Sequence, residues 1–208
     1  MEKKHPDSLL SHRKTRLILD LMRADESGQS ALLLLDVIQI LNQFKIPYAI
    51  IGAFAASFYG IVRASLDADA LIFFDNENGI KQLCSALKEK GLRVKYKRGD
   101  ANDPVKGVIN VQDTYQNRVD LLLGIRGMKQ DVFQRISQSK FMDCSIKVIG
   151  PEDFIAMKIF AGSPKDIQDV IGVLDISKDK LNLPLLKKVT AGFGRSYLKT
   201  LNKILKRK

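Results

Sequence analysis

Asp67-Ala68-Asp69-Ala70 sets two carboxylates two residues apart in a stretch with the composition of a β-strand. Side chains alternate along a strand, so residues i and i+2 leave from one face and the two carboxylates converge. The alanines at 68 and 70 leave the other face free to pack, and Leu71 to Phe74 continue the strand as apolar. Two neighbouring acids on a mostly buried strand repel each other and lose hydration unless a cation neutralises them, so a divalent ion is the economical resolution. Magnesium suits the pair, because it takes oxygen ligands, keeps waters and bridges one or two carboxylates to substrate phosphates. An isolated Asp-x-Asp pair is more often a solvated turn or a strand-edge charge, so the chemistry has to be carried by its context.

Two features supply that context. About fifteen residues upstream, Ile50-Ile51-Gly52-Ala53 passes from strand to helix at a glycine, where the backbone can approach a phosphate closely and present N–H groups to it. Downstream, Asn117-Arg118-Val119-Asp120-Leu121-Leu122-Leu123 puts a lone acid into an apolar strand, a costly place for an unpaired charge. Asp120 is therefore a third carboxylate for the same centre or one half of a buried salt bridge to Arg63 or Arg118. The histidines, His5 and His12, both lie near the N-terminus, which excludes a histidine-based zinc site or a Ser-His-Asp triad in the core.

The elements that position these residues follow from apolar spacing and turn signals. Residues 1–30 read as a helical arm and linker, ending in Asp-Glu-Ser-Gly-Gln-Ser, and Ala31 to Phe44 as a helix. Tyr48 to Ile51 is a buried strand, Ala53 to Tyr59 a short helix, Leu66 to Phe74 a second strand, and Asn78 to Lys90 an amphipathic helix stopped by Gly91. Strands are expected at Leu92 to Tyr96, Gly107 to Val111, Arg118 to Leu123 and Ser145 to Ile149, with a helix near Gln130 to Ile136. Pro151-Glu152-Asp153 opens a helix with proline and two acids in its first turn, and Ser163-Pro164-Lys165-Asp166 opens another. In the second, Ser163 reads as the N-cap and Asp166 as the capping-box acid. The expectation is an α/β chain of α+β type: a mixed sheet flanked by helices over 31–150 and a helical region over 151–208.

With 45 % apolar and 27 % charged residues the chain has the profile of a folded protein. Ala31 to Leu41 is too short for a membrane span and contains Asp36, and the charged N-terminus does not read as a secretory signal. Cys84 and Cys144 read as reduced thiols, so a cytoplasmic setting is expected. The net charge of +11 is unevenly placed. Lys187 to Lys208 holds eight basic residues and no acid, and Lys88 to Arg98 holds six against Glu89 alone. A polyanion is the natural partner for such clusters, although lysines also serve solubility and no aromatic-interleaved RNA motif accompanies them.

The run Ile51-Gly52-Ala53, followed after about a dozen residues by Asp67-Ala68-Asp69-Ala70, resembles the signature of the DNA polymerase beta-like nucleotidyltransferase superfamily. The wider run from Ile50 to Asp69, with Gly150-Pro151-Glu152-Asp153-Phe154 leading to Lys158 and Pro164 to Val170, is similar to its bacterial abortive-infection AbiEii-type branch. The resemblance covers about Ile46 to Leu174. It implies that Asp67 and Asp69 hold magnesium against a nucleoside triphosphate, with Gly52 and the backbone at Ala53 on the phosphates. Asp120 would be a third metal ligand or the base for the acceptor hydroxyl, Lys158 would offset triphosphate charge, and Arg63 would reach phosphate or acceptor. The implied reaction transfers a nucleoside monophosphate with loss of pyrophosphate. Some relatives are toxin-like enzymes, so RNA such as tRNA, held by the basic C-terminal region, is the implied acceptor and an antitoxin the implied partner.

Ala53 departs from the usual Gly or Ser, which removes a hydroxyl contact and keeps backbone donation. Ser163 stands where the branch often has Arg. Lys158 reads equally as a solvated residue or as one emerging from a packed surface beside Phe154 and Ile155. The rival readings are an enzyme acting on small molecules of the antibiotic kind and a catalytically silent nucleotide- or protein-binding module of the same fold.

Overall fold

A computed structural model describes residues 29–206 except 64, 75, 178 and 179. The expected arm, with His5 and His12, and the C-terminal Arg207 and Lys208 lie outside the described residues. Helix α1 (Ser30–Gln43) is apolar nearly all round, and Leu33, Val37 and Leu41 are fully enclosed. Strand β1 (Tyr48–Ile51) is buried throughout. It runs directly into α2 (Gly52–Phe58), and the chain returns as β2 (Asp67–Ile72). Then come α3 (Glu77–Glu89), β3 (Arg93–Arg98), β4 (Gly107–Gln112) and β5 (Arg118–Leu123). Asn76 starts α3 by accepting the Gly79 N–H at 3.0 Å.

The seven strands form one sheet in the order β3-β4-β5-β2-β1-β7-β6, with β6 at Ser137–Phe141 and β7 at Cys144–Val148. The β1/β7 and β2/β5 pairs are parallel and the rest antiparallel, so the sheet is mixed, as expected. The helix expected near Gln130 to Ile136 is a short 3-10 helix over Gln130–Gln134. One local expectation needs correction: β6 follows that helix where no strand was expected. Ser137-Gln-Ser-Lys-Phe has no apolar alternation because it is an edge strand with little buried surface.

Hydrogen bonds fix α1 against the starts of the two acid-bearing strands. The Ser30 hydroxyl, fully buried, donates to the Leu66 carbonyl and accepts the Arg118 N–H at 3.0 Å. The Gln29 N–H donates to Asn117 Oδ1 at 2.8 Å. Asp113 closes the β4–β5 turn by accepting the N–H groups of Tyr115 and Asn117 and the Asn117 side-chain amide, at 2.8–2.9 Å. Helices α1 and α3 cover the sheet face formed by Val94, Val111, Val119, Ala68 and Ala70.

Beyond the sheet, α4 (Pro151–Ala161) is the buried axis against which α5 (Pro164–Ser177), α6 (Leu183–Phe193) and α7 (Arg195–Lys206) pack. Gly162, in the left-handed region at φ 72°, ends α4. Phe160 stacks on Phe193 and meets Tyr197 edge-on, which joins α4 to α6 and α7. Asp153, at the positive end of α4, receives a two-pronged hydrogen bond from Arg135 at 2.7 and 2.9 Å. The same guanidinium reaches Asp131 at 2.9 Å, and its pairing with the two acids raises its pKa above the usual value. No helix among the described residues is long and apolar enough to cross a membrane.

The Asp153 side chain is 2 % exposed and that of Asp131 46 %, so the two ion pairs differ in worth. Arg135→Ala strands a buried carboxylate and is expected to cost about 3–5 kcal/mol in urea unfolding. Asp131→Ala is expected to cost less than about 1 kcal/mol. Equal losses would show that burial does not set the strength of these pairs.

Candidate active site

Strand alternation does at β2 what the sequence implies: Ala68 and Ala70 are fully buried while Asp67 and Asp69 leave from the opposite face, partly exposed. In the parallel β2/β5 register Asp69 stands opposite Asp120, and Asp67 opposite Arg118. On the other side Asp69 stands opposite Ile51, the last residue of β1. Three carboxylates thus share one face of two neighbouring strands.

Gly52 adjoins Asp69 so closely that no side chain fits. Its φ is +66°, and a Cβ added there would lie 2.1 Å from Asp69 Oδ2. Only glycine satisfies both the left-handed backbone and the space. Ala53 is 5 % exposed, so its methyl belongs to the core and its backbone is all it offers the site.

Burial, followed by the charges of Asp120 and Asp67, lifts the Asp69 pKa from 3.8 to about 6, against the opposing influence of Lys158 and Arg118. The cluster therefore carries negative charge that its surroundings do not fully compensate, and all its donors are hard carboxylate oxygens, which fits a magnesium ion. Asp120 is presently held elsewhere. Arg118 grips both its oxygens at 2.8 and 2.6 Å, and the Asn110 amide donates to one of them at 2.7 Å. Accordingly, among the described residues no three acidic, histidine or cysteine side chains stand together closely enough to hold one ion. The structure thus selects Arg118, not Arg63, as the partner of Asp120.

Lys158 and Arg63 meet in a second cluster. Lys158 is 6 % exposed, and its Nζ lies 2.8 Å from both Asp166 and Asp169, above the Phe154 ring. Arg63 bonds the same Asp169 at 2.7 Å. Lys158 is therefore an enclosed, ion-paired residue and not a solvated one. Asp166 also exchanges hydrogen bonds with Ser163, the expected capping box. Burial pushes the Asp166 carboxyl up, but bonds from Lys158 and Ser163 outweigh it and leave it below the usual range.

Asp169, at 3 % exposure the hub of this cluster, was not singled out from the sequence, nor was Asn110. The spacing of Asp166 and Asp169, three apart on one helix, was a usable signal for the first. Nothing local marks Asn110, whose role comes from its register with Asp120. A concavity of roughly 260 Å³ at the far end of β2, lined by Leu71, Ile72, Phe73, Lys106 and Met128 among others, includes none of the acids.

No protein-family model matches the chain, and no curated protein does. Solved structures do. The solution structure of the antibiotic-resistance factor ANT(2'')-Ia superimposes with a TM-score of 0.57 at 13 % identity, covering 88 % of this chain and all of that one. The crystal structure of ANT(2'')-Ia in complex with adenylyl-2''-tobramycin gives 0.53 at 14 % identity, covering 79 % of this chain and 96 % of that one. A likeness at such identity is one of architecture, and it does not select the abortive-infection branch. The mixed seven-stranded sheet with its flanking helices is the nucleotidyltransferase fold.

Proposed function

We propose that this protein is a magnesium-dependent nucleotidyltransferase that moves a nucleoside monophosphate from a nucleoside triphosphate to an acceptor hydroxyl, with RNA as the acceptor. The observation that carries the reading is the contact between Gly52 and Asp69, which sets a side-chain-free backbone against the carboxylate that Asp67 and Asp120 flank. Asp67 and Asp69 would hold the metal. Bound there, magnesium would draw the triphosphate oxygens in and stabilise the charge that develops on them.

The chain's own groups divide the remaining work. Gly52 and Ala53 leave their backbone free to approach the phosphates. Asp120 accepts the proton of the acceptor hydroxyl or joins the metal shell, and either role requires Arg118 to yield at least one of its oxygens. Lys158 brings positive charge toward the site, and Arg63 would reach phosphate or acceptor, each while anchored on Asp169. Lys158 already lowers the Asp69 pKa, so it favours the carboxylate form that binds a cation. A toxin-like role with a cognate antitoxin, in the cytoplasm, is consistent with the resemblance to the AbiEii-type branch. A binding module without turnover is the second reading, favoured by the grip of Arg118 on both oxygens of Asp120.

Incubation with each labelled triphosphate, magnesium and total RNA should transfer label to RNA, and Asp69→Asn should abolish the transfer. Nucleotide binding with no transfer to any acceptor would support the silent module instead. Gly52→Ala should lower transfer at least ~100-fold, since a misplacement of about 1 Å at a reacting centre has that effect. Unchanged activity would mean that the close approach is not used.

The raised pKa of Asp69 also predicts a pH dependence. A carboxyl whose folded-state pKa lies above its unfolded value adds stability below 3.8 that is lost as pH climbs through about 6. Without magnesium, Asp69→Asn should therefore stabilise the protein at pH about 7.5, by up to ~3 kcal/mol. The gain should vanish in acid, and added magnesium should raise the melting temperature of the wild type but not of the variant. A variant less stable than the wild type at neutral pH would contradict the assignment.

A further inference from the structure

The sheet face that bears the acids does not stop at β5. Cross-strand register continues it in rows: Asp69, Asp120, Asn110 and Lys95 form one, and Asp67, Arg118, Gln112 and Arg93 the next. Leu71, Leu122, Val108 and Lys97 form a third. Arg93, Lys95 and Lys97 thus point to the same side as the acids, while Val94 and Tyr96 turn the other way toward α3. All three basic side chains are exposed. β3 contributes no acid to this face, and Arg98, which is paired with Glu77, belongs to the opposite one. Between the basic edge and the acids, β4 presents only Asn110, Gln112 and Val108, half-buried and uncharged. Arg118 lies beside them but its charge is matched by Asp120.

We infer that the open face of β3, β4 and β5 is the bed for the terminal nucleotides of an RNA acceptor, with Arg93, Lys95 and Lys97 on its phosphates. The inference rests on the transferase reading and specifies the acceptor surface of that same site. Strands lie ~4.8 Å apart, so three steps put Lys95 about 14 Å from Asp69. That is the reach of a few nucleotides from a reacting end placed at Asp120. Charge sorts along the row: a cation and a triphosphate are served at the acidic end, and a polyanion at the basic end. A cationic acceptor would meet like charge on β3. Asn110 and Gln112 carry amides that can bond ribose or base edges between the two ends. Among the described residues of β3, β4 and β5 no aromatic side chain lies on this face, so contacts to the backbone and not base stacking dominate, and binding should be tolerant of sequence and steep in salt.

The test uses the full chain and a short, fluorescein-labelled single-stranded RNA, with anisotropy read between about 50 and about 200 mM salt. Lys95→Ala/Lys97→Ala should weaken binding about tenfold at the lower salt and reduce the log–log salt slope by about one to two. Lys199→Ala/Lys203→Ala removes equal charge from the exposed side of α7 and should weaken binding less. Both pairs are exposed, and an unchanged melting temperature excludes unfolding as the cause. Wild-type affinity in the β3 variant, a larger loss in the α7 variant, or full competition by duplex RNA at equal phosphate concentration would overturn the inference. Transfer activity separates the two levels. RNA held through Lys95 and Lys97 with no label transferred keeps the surface and removes the transferase reading. Transfer that stays undiminished in Lys95→Ala/Lys97→Ala at subsaturating RNA removes the surface and keeps the transferase.

Discussion

Asp69 occupies a place that an ionised carboxylate would not take by itself. It is mostly buried, it faces Asp120 across one strand pair and Asp67 along its own strand, and Gly52 closes over it without room for a methyl group. Burial and the charges of Asp120 and Asp67 raise the free energy of its charged form and lift its pKa to about 6, against the opposing influence of Lys158 and Arg118. Much of the remaining structure maintains this arrangement. The bonds of Ser30, Gln29 and Asn117 pin the starts of β2 and β5, the two strands whose register brings Asp69 to Asp120. The enclosed alanines at 68 and 70 let α1 press against the back of the pair.

The cationic residues answer this charge at two levels. Arg118 neutralises Asp120 directly, through two short bonds that a metal or a substrate would have to displace in part. Lys158 acts from a greater distance, fixed by Asp166 and Asp169 within the helical region and sensed at Asp69 only as a field. Because Arg63 shares Asp169, the loop ahead of β2 and the helix α5 are fastened at one carboxylate. The acidic strands and the helical region thereby form one electrostatic unit, and a change in Asp169 would be felt at the site without touching it.

Strand alternation made the acidic pair legible from sequence, since Asp67 and Asp69 with intervening alanines can face only one way on a half-buried strand. Gly52 was legible as a backbone kept free of a side chain between strand and helix, but its close approach to Asp69 was not, since the sequence pointed to a phosphate there. The mixed sheet followed from apolar runs and punctuating glycines. What sequence could not supply was pairing across the fold. Asp120 had two candidate arginines, and only the strand register chose Arg118. Lys158 sat evenly between a solvated and a packed reading until α5 brought Asp166 and Asp169 to it. The basic segment from Lys88 to Arg98 was visible as charge, but its division between two faces of β3 appears only once Val94 and Tyr96 turn toward α3. Edge strand β6 left no pattern to read, because an edge buries too little to impose one.

The transferase proposal stands on the carboxylates beside Gly52 binding a divalent cation and, through it, a triphosphate. Calorimetric titration of a nucleoside triphosphate into the protein at neutral pH, with and without magnesium, probes that step. Binding should require magnesium and should be lost in Asp69→Asn although that variant remains folded. Triphosphate binding of equal strength without the metal, or in the variant, would contradict it.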